Sequence, residues 1–262
     1  MHADHHLGLP RIMIEREKVI SKVQELSGSK CVLPRCCIVG PPQLGIWLSH
    51  IKTVVPGIND SWDFVSCTRL MELCDRENSQ VGCLQVSNDC TVEDLQPLTT
   101  VLSDYQLHDL AICPVIHCPH AYAFRISGFR SVNGKENKWS LVYSGDCSPC
   151  DSLLELGQNC SLLIHEATFE DGMEQEAVGR SHSTVTQAVE QGAKMNAKAI
   201  LLTHFSARYP KIPVIKSGAQ VCVGYDLMTV KPEQLPSLHR LLPILHAMYE
   251  EEEEEDGSFA QG

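Results

Sequence analysis

The chain opens on Met1-His2-Ala3-Asp4-His5-His6, in which four of six side chains can bind a metal ion or move a proton. More residues of that kind stand where apolar runs end. His117 follows Val115-Ile116, Asp146 follows Tyr143-Ser144-Gly145, His165-Glu166 follows Leu162-Leu163-Ile164, and His204 follows Ile200-Leu201-Leu202-Thr203. Short apolar runs read as buried strands, and α/β sheets gather their sites in the loops beyond the carboxyl ends of their strands. Taken singly, each residue has an ordinary reading: a hydrogen-bonded structural histidine, or an aspartate in a Ser-Gly-Asp turn. Taken together they form a repeated design. Imidazole and carboxylate suit zinc, manganese or iron, and a shared carboxylate allows two ions side by side.

The elements that must aim these side chains alternate in type. Apolar residues recur at helical spacing over 9–26, with Gly28 as a stop, so His5-His6 lies in a loop leading into an amphipathic helix. A buried strand is expected at 35–39, a turn at Gly40-Pro41-Pro42 and a short helix at 43–50. Residues 52–105 are less regular, with a strand over 62–68 and a helix over 91–102 capped by Thr91. Strand-like runs follow at 108–116, 121–126 and 139–143, the last two joined by a Gly-Lys-Glu-Asn turn, as in an antiparallel meander within a mixed sheet. Then come a strand at 161–164, helices at 168–178 and 183–195, a strand at 199–202, an edge strand at 221–225 and a helix at 232–249. This pattern is α/β.

Composition excludes some classes. No apolar run of the 262 residues approaches the roughly 20 of a membrane span. Thirteen cysteines, several inside apolar runs, read as reduced core residues of an intracellular protein, with nucleus, cytoplasm and mitochondrion all open. Cys147-Ser148-Pro149-Cys150 has the spacing of a redox pair or half a zinc site, but no second pair follows. The net charge is −12, yet seven of the negative charges fall at 250–256, a run that reads as a solvated tail. The remaining charge neither requires nor forbids an RNA partner.

In order along the chain, several motifs resemble those of the long-form tRNase Z family. They are His2-Ala3-Asp4-His5-His6, Ser144-Gly145-Asp146, His165-Glu166-Ala167-Thr168, His182-Ser183-Thr184, and Thr203-His204-Phe205-Ser206-Ala207-Arg208-Tyr209. These are tRNA 3′-processing endoribonucleases of the metallo-β-lactamase superfamily, and the match runs to about residue 230. The resemblance implies a metallo-β-lactamase-type four-layer αββα sandwich with two zinc ions at its rim. It assigns His2, His117 and Asp146 to one ion, and Asp4, His5, Asp146 and His204 to the other, with Asp146 bridging. It implies metal-activated water attack on precursor tRNA, with Asp4 orienting or deprotonating the water. His182, paired with Glu166, would protonate the leaving oxygen, leaving a 3′-hydroxyl on the tRNA and a 5′-phosphate on the trailer. Arg208 and Lys211, near Tyr209, are the candidate substrate contacts, and His120 is a supporting candidate.

Without the resemblance, Thr168 with Asp171 reads as a helix cap, and Ser181 or Ser183 as the next one. The family's full motif is His-x-His-x-Asp-His, and Met1 falls on its first x. The expectation is therefore an N-terminally truncated domain over 1–249, lacking its leading strands, with an acidic disordered tail over 250–262. Such a chain is expected to have an incomplete first zinc site and weak or no activity alone. It would pair with a missing N-terminal half or with a second copy of itself. Two other readings fit the same residues: a non-catalytic RNA-binding or dimerising fragment, and another phosphodiesterase of the superfamily.

Overall fold

The structure, a computed structural model, describes residues 2, 5–28, 35–58, 62–72, 81–85, 93–132, 134–207, 215, 220–231, 234–245 and 247. Two compact units, Met1–Ile112 and Cys113–Gly262, divide the chain. Asp4, Arg208, Lys211, Thr91 and the acidic run 250–256 lie outside the described residues.

In the first unit α1 spans Leu9–Ser27 and ends where Gly28 takes a left-handed φ of 63° and returns its N–H to Gln24 O. A left-handed terminal residue is what glycine supplies at a helix end. The helical period is as expected, but the buried side is not the whole apolar set. Met13 is buried, whereas Ile12, Val19 and Leu26 are exposed. β1 (Cys36–Gly40) leads through α2 (Pro42–Val54) to β2 (Trp62–Ser66), and the two strands pair in parallel from Cys36↔Trp62 to Gly40↔Ser66. A parallel pair needs such a crossover. Met13, Ile38, Leu44, Leu48 and Ile58 form the core here, with Trp47 and Phe64 packed against it.

The irregular stretch holds more structure than its composition suggests. Ser66 caps a short α3 (Cys67–Met71) by accepting from Thr68 N, and β3 (Gly82–Gln85) follows. The helix expected over 91–102 is a 3-10 turn at Glu93–Leu95 continuing into α4 (Gln96–Asp104), which packs on β1 and β2. β4 (Leu107–Pro114) pairs antiparallel with β3 from Gly82↔Ile112 to Gln85↔Asp109.

In the second unit β5 (Tyr122–Val132) and β6 (Lys135–Tyr143) form one long antiparallel hairpin, paired from Phe124↔Tyr143 to Val132↔Lys135. The expected four-residue turn is therefore corrected: Gly134, at φ 74°, turns the chain, and Lys135 already pairs. Glycine reaches that conformation without a Cβ penalty. After α5 (Asp151–Gly157), β7 (Leu162–Glu166), β8 (Ile200–Thr203) and β9 (Val221–Val223) add in parallel beside β6. β7 runs two residues further than expected, so His165 and Glu166 belong to the strand itself.

The helices between β7 and β8 start later than expected. Thr168 begins no helix; α6 spans Glu174–Arg180 and α7 spans Val185–Lys194. Neither Ser181 nor Ser183 caps α7. Thr184 does, in a reciprocal capping box with Gln187. Asp171 supports the same helix start, accepting from Thr186 N at 2.9 Å and Thr186 Oγ1 at 2.6 Å. α7 lies close on the sheet because Gly192 has no side chain: a Cβ there would sit 3.2 Å from Leu163 Cδ2 and closer still to Ile200. The helix expected over 232–249 is broken, with α8 at Leu235–Leu238 and a 3-10 turn at His239–Leu241.

Candidate metal and proton-transfer site

Five segments of the second unit converge beyond the carboxyl ends of β6, β7 and β8. His117 lies in the turn after β4, tied down by the Ile116↔Ser148 bridge and by Ser148 N to Ile116 O at 2.9 Å. Asp146 follows β6 through Ser144-Gly145. Gly145 has φ 59°, and a Cβ on it would lie 3.1 Å from Tyr122 O, so the Ser-Gly-Asp turn needs its glycine. Ser144 fastens this turn to β7: its N–H donates to Ile164 O, and its hydroxyl accepts from Glu166 N at 3.1 Å. His182 sits between α6 and α7, where Ser181 takes a left-handed φ of 57°. His204 leaves β8 with φ 60°, uncommon for a side chain other than glycine.

The distances give these residues distinct roles. His117 Nε2 stands 3.9 Å from Asp146 Oδ2, and His204 Nε2 stands 3.7 Å from Asp146 Oδ1. Both separations exceed a hydrogen bond. Two zinc–ligand bonds of about 2.0–2.2 Å, meeting near the tetrahedral angle, put their donor atoms about 3.4 Å apart, and further as the angle opens. The donor set thus fits a metal ion of zinc's size, with one oxygen of Asp146 facing each histidine. Asp146 is 6% exposed, as expected of a carboxylate with cationic or metal company rather than bulk water.

Glu166 is the hub on the protein side. It is 2% exposed and accepts four hydrogen bonds. Cys147 N (2.9 Å) and His182 Nδ1 (2.8 Å) donate to Oε1; Thr168 N (3.0 Å) and Thr168 Oγ1 (2.7 Å) donate to Oε2. Burial pushes its carboxyl pKa up, but the bonds from His182 and Thr168 outweigh burial and hold it below the ordinary 4.5. His182 responds in the opposite sense: its bond to Glu166 raises its pKa above 6.5 against the effect of burial. The His182 ring lies 4.8 Å from that of His117 and 5.7 Å, stacked, from that of His204.

Each histidine of the cluster uses Nδ1 for support. That of His117 lies 2.9 Å from Ser181 O, and that of His204 lies 2.8 Å from Thr168 Oγ1. A carbonyl only accepts, so His117 donates from Nδ1, and in the neutral ring this leaves Nε2 as the lone pair. Ligating histidines are commonly oriented in this way.

The structure thus brings together His117, Asp146, Glu166, His182 and His204. It sets His165 apart: that ring is fully buried, Nδ1 faces Glu166 O at 2.6 Å, and Nε2 has no partner among the described residues. Burial lowers its pKa and keeps it neutral. His120 is exposed, at φ 63°. Cys147 and Cys150 are buried thiols outside any disulfide, and burial pushes the Cys147 pKa well up, so the Cys-x-x-Cys spacing is core packing. In the first unit His2 and His5 are exposed, and His2 O accepts from His5 N at 3.2 Å and faces His6 Nδ1 at 2.8 Å. Thr168, Ser181 O and Cys147 N–H are the participants that the sequence did not reveal as such. Thr168 closes the His165-Glu166-Ala167-Thr168 motif, but in the sequence its hydroxyl reads equally well as a cap.

Known proteins resemble this chain over most of its length. The chain is 33% identical over 251 residues to zinc phosphodiesterase ELAC protein 2 of Homo sapiens, covering 95% of this chain and 27% of that protein. It is 34% identical over 278 residues to tRNase Z TRZ3, mitochondrial, of Arabidopsis thaliana, covering 98% of this chain and 30% of that one. Among solved structures, a long form RNase Z from yeast superposes with a TM-score of 0.77 at 27% identity, over 94% of this chain and 34% of that one. This chain is a long-form tRNase Z relative. It spans about a third or less of the length of those proteins. Human tRNase Z, short form, shares the fold alone, with a TM-score of 0.54 at 20% identity, over 88% of this chain and 76% of that one. The α/β class expected from the sequence is the class observed, and the fold is shared with the yeast long form RNase Z. No family model matches the chain. No helix among the described residues is long and apolar enough to cross a membrane.

Proposed function

We propose that this chain carries the zinc-dependent phosphodiesterase site of a tRNA 3′-processing endoribonuclease, acting on precursor tRNA to release the 3′ trailer. The observation that carries the reading is the pair of separations across Asp146, whose two oxygens face His117 and His204 at 3.9 and 3.7 Å, beside a histidine held by a buried glutamate. His117, Asp146 and His204 would hold zinc, and one carboxylate oxygen facing each histidine favours two ions. Zinc bound there would lower the pKa of a water molecule and offset negative charge on the phosphoryl oxygens. His2, Asp4 and His5 enter this reading through the sequence resemblance alone, as do Arg208 and Lys211 on the substrate side.

His182 supplies the acid. Its Nδ1–H is committed to Glu166, and that bond favours the charged ring, so Nε2–H is the proton available for transfer. The proton passes to the leaving 3′-oxygen of the tRNA while the trailer keeps the phosphate. Glu166 stays ionised and keeps the imidazole in position. The test uses purified full-length chain, zinc and a 3′-extended tRNA. A product ending in a 3′-hydroxyl, with cleavage abolished by chelation, is expected. Tight zinc binding with no cleavage under any condition would leave a metal-binding RNA module instead.

A further inference from the structure

The four bonds on Glu166 leave one side chain unexplained by the reaction just described. Thr168 has no place in zinc binding or in proton donation, yet its hydroxyl sits between Glu166 Oε2 at 2.7 Å and His204 Nδ1 at 2.8 Å. An ionised carboxylate only accepts, so the single hydroxyl proton of Thr168 points to Glu166. Its oxygen then has only lone pairs for His204, and the imidazole must donate from Nδ1. The main chain holds the same approach: Ala167 N donates to Thr203 O at 2.8 Å, and Ser206 N to Thr168 O at 3.3 Å.

We propose that Thr168 is a positioning residue that relays the acceptor character of Glu166 to His204, locking His204 in the Nδ1–H tautomer with its Nε2 lone pair facing Asp146. One buried carboxylate then sets two histidines of different function: His182 directly and His204 through one hydroxyl. His117 is set separately, by the carbonyl of Ser181. His204 needs such a tether more than His117 does, because its side chain is 35% exposed against 7%, and its backbone is in a left-handed conformation. A valine at 168 would keep the shape and remove the relay; a serine would keep the relay.

The inference rests on the proposed ligand role of His204 only for its consequence, so the experiment has two readouts. In the metal-free full chain, nitrogen-15 shifts of the histidine rings report the tautomer. Wild type and T168S should show His204 protonated at Nδ1 and bare at Nε2. T168V should show a mixture, with His117 unchanged. Zinc titration should then give an affinity roughly 10–100-fold weaker for T168V and restored in T168S, the usual cost of losing a group that orients a ligand. Wild-type His204 protonated at Nε2, or an unaltered His204 in T168V, overturns the relay. Wild type that binds no zinc refutes the metal-site reading, and the ring shifts still decide the relay.

Discussion

Glu166 Oε1 and His182 Nδ1 lie 2.8 Å apart with opposite pKa displacements, the carboxyl lowered and the imidazole raised. A lowered carboxyl stabilises the fold at pH above its ordinary value of 4.5 and loses that contribution as pH falls through the lowered one. A raised imidazole stabilises below its ordinary 6.5 and loses that contribution as pH rises through the raised one. The pair is therefore fully stabilising between 4.5 and 6.5. Urea denaturation of the metal-free chain across pH should show a plateau there, and E166Q should lower it by on the order of 3 kcal/mol. An unchanged profile in E166Q would remove the pair from the fold's energetics.

His182→Ala separates chemistry from metal binding. Zinc content measured by elemental analysis should stay at the wild-type level, because His182 Nδ1 is bonded to Glu166 and the ring is assigned to the substrate side. Cleavage of 3′-extended tRNA should fall by about 10²–10⁴-fold, the range of a lost general acid. A comparable loss of zinc would make His182 a ligand instead.

Gly145→Ala tests the turn that aims Asp146. The left-handed φ of 59° costs an L-residue about 1–2 kcal/mol, and the added methyl would press on Tyr122 O. Thermal unfolding should register that loss, and zinc affinity should fall with it. Retained zinc affinity in a destabilised protein would show that Asp146 is held by its neighbours rather than by the turn.

Thr184→Ala removes one side of the capping box at the start of α7, next to the His182 loop. A loss of about 1 kcal/mol is expected by chemical denaturation, with zinc affinity near wild type.

Much of the site was legible because its residues announce themselves by type. His117, Asp146 and His204 end apolar runs, and those runs are or adjoin strands β4, β6 and β8. His165-Glu166 also ends an apolar run, but the pairing of Glu166 with His182 came from motif resemblance, since a histidine before a helix looks ordinary alone. His165 shows the limit: it sits next to Glu166 on β7, and alternation along the strand sends its ring to the fully buried side. Thr168 shows the complement. A threonine ahead of a helical pattern has several acceptors and donors within reach, and only the fold reveals that β8 brings His204 to it. The short β3 was hidden because four residues carry too little periodicity to count.

The sharing of Glu166 also bears on inheritance. Thr168 and His182 both lean on one carboxylate, so losses at these positions should not simply add to its loss: a chain that has already lost Glu166 has less left to lose at Thr168 or His182. Variation at the dependents would then cost less in such a background and accumulate more freely. A lineage that loses the glutamate therefore should not regain function by restoring that one codon.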